Sequence, residues 1–277
     1  MKILGLIKLI SVLFLFFLFI SCEVETGWKF DPYFNNYLIV NGQITSEKKV
    51  HKVILSRMVT KPNDAPEPVS SASVSIWDGD LLCILKENPS KPGVYETDSN
   101  FRAFLNKTYK LLIVKDYQRY NSTVTMLPVT PFNQMKYKYD GERSMYTIDS
   151  VTQAFDDNES AMYEIMVDWT NVPGYESTPV ESKKAVVYYY KLSTIDISEV
   201  FKSETEKIFF PIGTTITEKK YSLTKEHAEF MRSLLLETEW RGGLFDVAHG
   251  NVKTNLSQGA LGFFGASTVS QKIFLVN

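Results

Sequence analysis

Cysteine and histidine are scarce in this 277-residue chain: two of the first, Cys22 and Cys83, and three of the second, His51, His227 and His249. That scarcity argues against a disulfide scaffold and against zinc sites built from Cys/His clusters. No block of like charge occurs, and 30 basic residues stand against 32 acidic ones. Nothing in the charge balance therefore points to a nucleic-acid partner. The longest apolar run falls short of the roughly 20 residues a membrane-spanning helix needs. No serine sits in a Gly-x-Ser-x-Gly elbow. Aromatics are plentiful instead, with 15 tyrosines and 18 phenylalanines, and they favour strands. Hydrophobic residues at 44% and charged residues at 22% make a globular composition and exclude wholesale disorder.

The one long apolar stretch lies at the start. Lys2 and Lys8 precede residues 9–20, which are apolar except for Ser11. A basic start followed by a short apolar core reads as an export signal. The stretch ends in Phe19-Ile20-Ser21-Cys22. A small residue directly before cysteine resembles the lipobox of bacterial lipoproteins, although Phe19 stands where leucine is commonest. The resemblance implies cleavage after residue 21, a diacylglycerol on the Cys22 thiol and an acylated new N-terminus. Each buried CH₂ adds about 0.8 kcal/mol, so two or three chains anchor firmly. The expected location is the cell outer membrane, with the side left open. Residues 22–36 read as a tether. Glu23 and Glu25 resemble the surface-export signal of Bacteroidota lipoproteins, and a solvated linker is the alternative.

From Tyr37 the pattern is β. Leu38, Val40 and Gly42 alternate with Ile39, Asn41 and Gln43, and Val53, Leu55 and Arg57 share a face. Ala72–Trp77 alternates again, Asp78-Gly79-Asp80 signals a turn, and Leu81–Lys86 returns as a hairpin strand. Tyr95, Tyr109–Val114 and Tyr120–Met126 supply more strands. Short strands with frequent turns suggest a β-sandwich over 37–127, ended by Pro128 and Pro131. A second, β-rich domain is expected over 132–277. Its strands are Tyr146–Ser150, Met162–Trp169, Ala185–Leu192, Thr215–Tyr221 and Lys272–Val276. It carries one amphipathic helix, N-capped by Thr224 and stopped by Gly242-Gly243. The fold class is thus mostly β.

Three runs carry a family resemblance: Leu38 to Thr45 (LIVNGQIT), Pro68 to Val74 (PVSSASV) and Gly93 to Asp98 (GVYETD). The tail carries it most strongly, from Gly243-Leu244-Phe245-Asp246 through Gly250-Asn251-Val252 to the glycine-rich run Gly259–Ala266. The chain resembles the domain of unknown function 4249 family, lipoproteins of the Bacteroidota. The resemblance implies an N-terminal immunoglobulin-like or transthyretin-like sandwich. It also implies genes beside TonB-dependent outer-membrane receptors. The expected function is a non-catalytic accessory subunit of such an uptake channel. The alternatives are a stand-alone glycan- or peptide-binding, adhesive module and, third, a hydrolase.

Candidate chemistry is thin, and no cofactor, metal or catalytic residue is expected. Gly259, Gly262 and Gly265 precede a strand rather than a helix, so close backbone packing is favoured over phosphate binding. Asp156-Asp157-Asn158-Glu159 lacks the glycine and glutamate of a calcium loop. Asp246, His249 and Ser257 can be imagined as a triad without an elbow. Of the large aromatics Trp28, Trp77, Trp169 and Trp240, Trp77 in a strand and Trp240 near a helix end are expected to pack in the core, the alternative being an exposed platform for glycan. Cys83, among leucines and isoleucines, reads as a buried, unreactive thiol. Tyr188-Tyr189-Tyr190 must place rings on both sheet faces. Phe263, Phe264 and Tyr189 are the residues expected to dock a partner. Asp149-Ser150-Val151 resembles a short O-glycosylation acceptor, which leaves the state of Ser150 open.

Overall fold

Strand parity decides the first sheet. In β1 (Leu38–Thr45) Leu38, Val40, Gly42 and Ile44 turn inward, and in β2 (Lys52–Arg57) Val53 and Leu55 do. The two strands pair antiparallel with Val40 opposite Leu55. There follow β3 (Ser73–Trp77), β4 (Leu82–Glu87), β5 (Val94–Glu96), β6 (Thr108–Lys115) and β7 (Gln118–Thr125). The β3–β4 hairpin closes where Asp78 Oδ1 accepts the amides of Asp80 at 3.0 Å and Leu81 at 2.8 Å. Then come β8 (Lys136–Asp140), β9 (Met145–Ser150), β10 (Ala161–Asp168), β11 (Lys184–Lys191), β12 (Phe209–Phe210) and β13 (Thr215–Ser222). Helix α1 (Lys225–Thr238), β14 (Ala260–Ser267) and β15 (Val269–Leu275) complete the order. These elements come from a computed structural model that describes residues 37–59, 64–151, 159–192, 207–238 and 252–277. The signal segment, Cys22, Trp28, Trp240 and the expected helix stop at Gly242-Gly243 lie outside the described residues.

Eight strands run in the order β14-β1-β2-β5-β4-β3-β6-β7. Strand β4 pairs with both β5 and β3, so the sheet folds over at β4. The inward faces of the two halves share one core that includes Leu38, Leu55, Val74, Ile76, Leu111 and Phe264. Leu256, just before β14, bridges Ser122 of β7, so the two ends of the folded sheet meet. The remaining strands form a four-stranded sheet, β11-β10-β13-β15, and a three-stranded one, β12-β9-β8. A second core joins them through Ile165, Val167, Ile216 and Phe210, with Tyr137, Tyr146 and Ile148 against it. The protein is therefore mostly β, built from two sandwiches.

The tail corrects the expected boundary. Strand β14 does not belong with residues 132–277 but lies parallel to β1 in the first sandwich, Leu38 opposite Ala260 through Thr45 opposite Ser267. One residue later β15 pairs with β13 in the second sandwich. Thr268 is the crossing point. Its amide donates to Ser222 Oγ at 2.9 Å, and its hydroxyl and that of Ser222 both donate to Leu127 O, at 2.7 and 2.9 Å. Asn35–Asn277 accordingly forms one compact unit. Helix α1 starts as expected: Thr224 Oγ1 accepts the His227 amide at 3.2 Å, and Glu226 sits in the first turn.

Candidate functional site

Two of the three residues expected to dock a partner are buried. Phe264 is fully enclosed in the first core, and Phe263 is 5% exposed beneath α1. The Phe263 ring stacks with His227, with centroids 4.5 Å apart, and with Phe230, at 4.9 Å. The physical reason is the parallel pairing of β14 with β1, which leaves one face of β14 to the sandwich core and the other to the helix. Tyr189 is half-buried and packs against the second core, so it too is not an outward ring. The outward tyrosine is its neighbour Tyr188, at 48% exposure. Parity along β11 explains the difference.

The stack keeps His227 neutral. Burial pushes its pKa down to about 4. A base whose folded pKa lies below its ordinary value of 6.5 contributes stability that is present above pH 6.5 and lost as pH falls towards 4. At 1.36 kcal/mol per unit this loss amounts to about 3 kcal/mol at pH 4. His227→Phe keeps an aromatic ring against Phe263 and removes the titration. Its unfolding free energy, measured in urea at pH 7 and pH 4, is expected to fall by about 3 kcal/mol less than that of the parent protein. An equal fall in both proteins refutes the buried neutral state. His51 behaves similarly: burial is the main cause of a pKa lowered to about 4, and its Nε2 lies 3.0 Å from Thr45 Oγ1.

The outer face of β4-β3-β6-β7 has an unusual surface. One row across it reads Leu82, Trp77, Lys110, Thr123, and the next reads Ile84, Ser75, Leu112, Asn121. A third row holds Ser73, Val114 and Arg119, with Lys86 two residues beyond Ile84 on the same face of β4. Leu82 is 61% exposed, Ile84 66% and Trp77 46%. Trp77 thus departs from its expected place in the core: Val74 and Ile76 are the inward residues of β3, and Trp77 follows on the other parity. Among these twelve residues the charges are all positive. Carboxylates at the ends of the face are ion-paired: Asp78 and Asp80 to Lys107, at 3.3 and 2.7 Å, and Asp116 to Lys115 at 3.3 Å.

A second cluster lies where the sandwiches meet. Lys219 Nζ is 2.6 Å from Glu47 Oε1, and Lys49 Nζ is 2.5 Å from Glu47 Oε2. Burial pushes the Glu47 carboxyl up, but the two ammonium groups outweigh it and hold it below the usual range. Tyr221 donates to Glu164 Oε2 at 3.4 Å, and burial together with the Glu164 and Glu47 charges raises its pKa. Tyr188 lies across from Glu164 on the neighbouring strand. Behind the same strand is a charge pair that sequence reasoning missed. Lys220 is fully buried and reaches Glu159 Oε2 and Thr130 Oγ1, both at 2.7 Å. Glu218, also fully buried, accepts the Met135 amide at 3.0 Å, while its Oε1 has no hydrogen-bond partner. Burial raises its pKa against the opposing pull of that amide and of Lys272.

The other sequence candidates disperse. Asp246, His249 and Asp156–Asn158 lie outside the described residues, and Glu159 is committed to Lys220 and Thr130. Ser257 Oγ accepts the Asn121 amide at 3.0 Å, a strand-end contact. Trp169 packs partly buried against the second core. Cys83 is half-buried, and its thiol pKa is raised chiefly by burial. Ser150 is exposed at the end of β9, beside Asp149, which pairs with Lys138 at 3.0 Å. No group of three or more His, Cys, Asp or Glu residues able to hold a metal occurs among the described residues.

The chain belongs to the family described as Domain of unknown function (DUF4249), whose model matches residues 25–273. Among solved structures it is similar to the crystal structure of chicken CNTN1 FN1-FN3 domains, at 10% identity and a TM-score of 0.28. The match covers 67% of this chain and 60% of that one, so this chain spans less than two thirds of that structure's length. No curated protein matches the sequence.

Proposed function

We propose that this DUF4249 chain is an outer-membrane lipoprotein, held by acyl chains on Cys22, that acts without catalysis as an accessory component of a TonB-dependent nutrient-uptake system. The observation that carries the reading is the apolar run 9–20 ending in Ser21-Cys22, which fits an acylated cysteine, in a chain matched by the family model over residues 25–273. The role is steric and associative: the anchor holds the chain at the membrane, and the two sandwiches, tied at Thr268, act as one body. A second reading, a stand-alone glycan- or peptide-binding module, is favoured by the half-exposed Tyr188 ring beside Glu164.

Purification of the full lipidated protein from native membranes in mild detergent, with quantitative mass spectrometry, separates the two. A TonB-dependent receptor in near-equal amount is the expected result. Recovery of the protein alone overturns the accessory role and leaves the binding-module reading. Cys22→Ala is expected to abolish acyl labelling and release the chain from the membrane fraction. Unchanged membrane retention sinks the lipid anchor.

A further inference from the structure

We propose that the outer face of β4-β3-β6-β7 is a peripheral membrane-docking surface that lies against an anionic lipid leaflet. The face joins three features that a bilayer interface selects together. Ile84 and Leu82 offer aliphatic surface, 66% and 61% exposed. Trp77, 46% exposed, is the residue type that settles at the headgroup level. Lys110 and Arg119 supply positive charge on the same face, and Lys86 stands at its border opposite Glu96 of β5. Basic residues near an anionic leaflet each strengthen binding roughly fivefold. A protein partner is the weaker fit. Protein interfaces carry about ten directed hydrogen bonds, whereas the neutral polar side chains of this face are four short ones, Ser73, Ser75, Asn121 and Thr123. A lipid surface needs no matching shape and supplies continuous negative charge over hydrocarbon.

Reach allows the contact. Fourteen residues, 23–36, lie between Cys22 and Tyr37, the first described residue, and the link spans at most about 50 Å. The eight-residue strands of the first sandwich are about 26 Å long, so the whole face falls within that radius of an anchor at Cys22. The inference rests on the lipoprotein reading only for this proximity.

The test uses the mature chain from residue 22 carrying Cys22→Ala, so that no acyl chain contributes. Co-sedimentation with phosphatidylcholine vesicles is compared with vesicles containing about 30% phosphatidylglycerol, at low and at physiological salt. Binding to the anionic vesicles is expected to be at least about tenfold tighter than to the neutral ones and to weaken with salt. Lys110→Glu with Arg119→Glu is expected to remove the preference for anionic vesicles. Trp77→Ser with Ile84→Ser is expected to weaken binding about tenfold or more even at low salt. All four positions point outward, so circular dichroism and the unfolding midpoint should match the parent. Failure of the parent to bind anionic vesicles overturns the proposal, as does undiminished binding by the Trp77/Ile84 variant. Capture of the receptor through this face without vesicle binding also overturns it and assigns the face to a protein. Failure of vesicle binding bears neither on acylation of Cys22 nor on co-purification of the lipidated protein, so the two readings fail separately.

Discussion

Lys220→Met is expected to lower the unfolding free energy by about 3–5 kcal/mol, because it removes one partner of a buried ion pair. An ammonium has three N–H donors, and Lys220 uses all three: Glu159 Oε2 and Thr130 Oγ1 at 2.7 Å, and Thr130 O at 3.2 Å. Its side chain is wholly enclosed, and that of Glu159 is 12% exposed. Burial alone pushes the Glu159 carboxyl up, but Lys220 and the Thr130 hydroxyl and amide outweigh it and hold it below the usual range. Without Lys220 the carboxylate stays enclosed with no cation. Thr130, which sits between the two sandwiches, also loses the contacts that fix it to β13. At roughly 2–4 °C per kcal/mol for a chain of this size, the melting temperature should drop by roughly 6–20 °C. Adding Glu159→Leu should recover most of the loss, since replacing both members of a buried pair by apolar groups is often neutral. Urea unfolding of the two single variants and the double variant measures the coupling directly. A single-variant loss under about 1 kcal/mol refutes the assignment. The sign with pH follows from the lowered carboxyl: this contribution is present above the ordinary glutamate range and lost as pH falls through the folded value.

That pair shows where sequence reasoning stops. The inner face of β13 is Ile216, Glu218, Lys220 and Ser222, all buried. Read as TITEKKYS, the strand shows no apolar alternation, so parity from Ile216 alone could have placed Glu218 and Lys220 inside. Nothing local says that Glu159, 61 residues earlier, supplies the counter-charge. Strands with clean alternation were legible: β1, β2, β3, β6, β7 and β10 fall where their apolar periods put them. The N-cap at Thr224 was legible too, because its chemistry is local. Trp77 was misplaced for a different reason. Bulk favours burial in general, but parity within β3 had already assigned the inward positions to Val74 and Ile76. Phe263 and Phe264 were misplaced because their surroundings are long-range. A parallel partner more than 200 residues away covers one, and a helix over β14 covers the other.

Gly262→Ala is expected to be the most damaging single-methyl change in the described chain, with a loss of more than about 3 kcal/mol and little folded protein at 37 °C. Gly262 has φ +99°, a conformation that side chains rarely adopt, and it lies opposite Val40 in the parallel β1–β14 pair. A Cβ there would stand 2.0 Å from Val40 O and 2.9 Å from Val40 C, both backbone atoms that cannot swing aside. The strand must either leave β1 or distort it. Either outcome uncovers Phe264 and frees the strand that links the two sandwiches at Thr268. Gly141→Ala is the control, since an added Cβ there meets nothing within 4 Å. Thermal unfolding followed by circular dichroism, with limited proteolysis after residue 253, reads both effects. Near-parental melting of Gly262→Ala would mean that β14 does not pair with β1 in the register described. The same glycine spacing that superficially suggested an anion-binding loop is therefore accounted for by backbone packing. The close approach at Gly262 explains why a glycine-rich run can serve as a sheet strand at all.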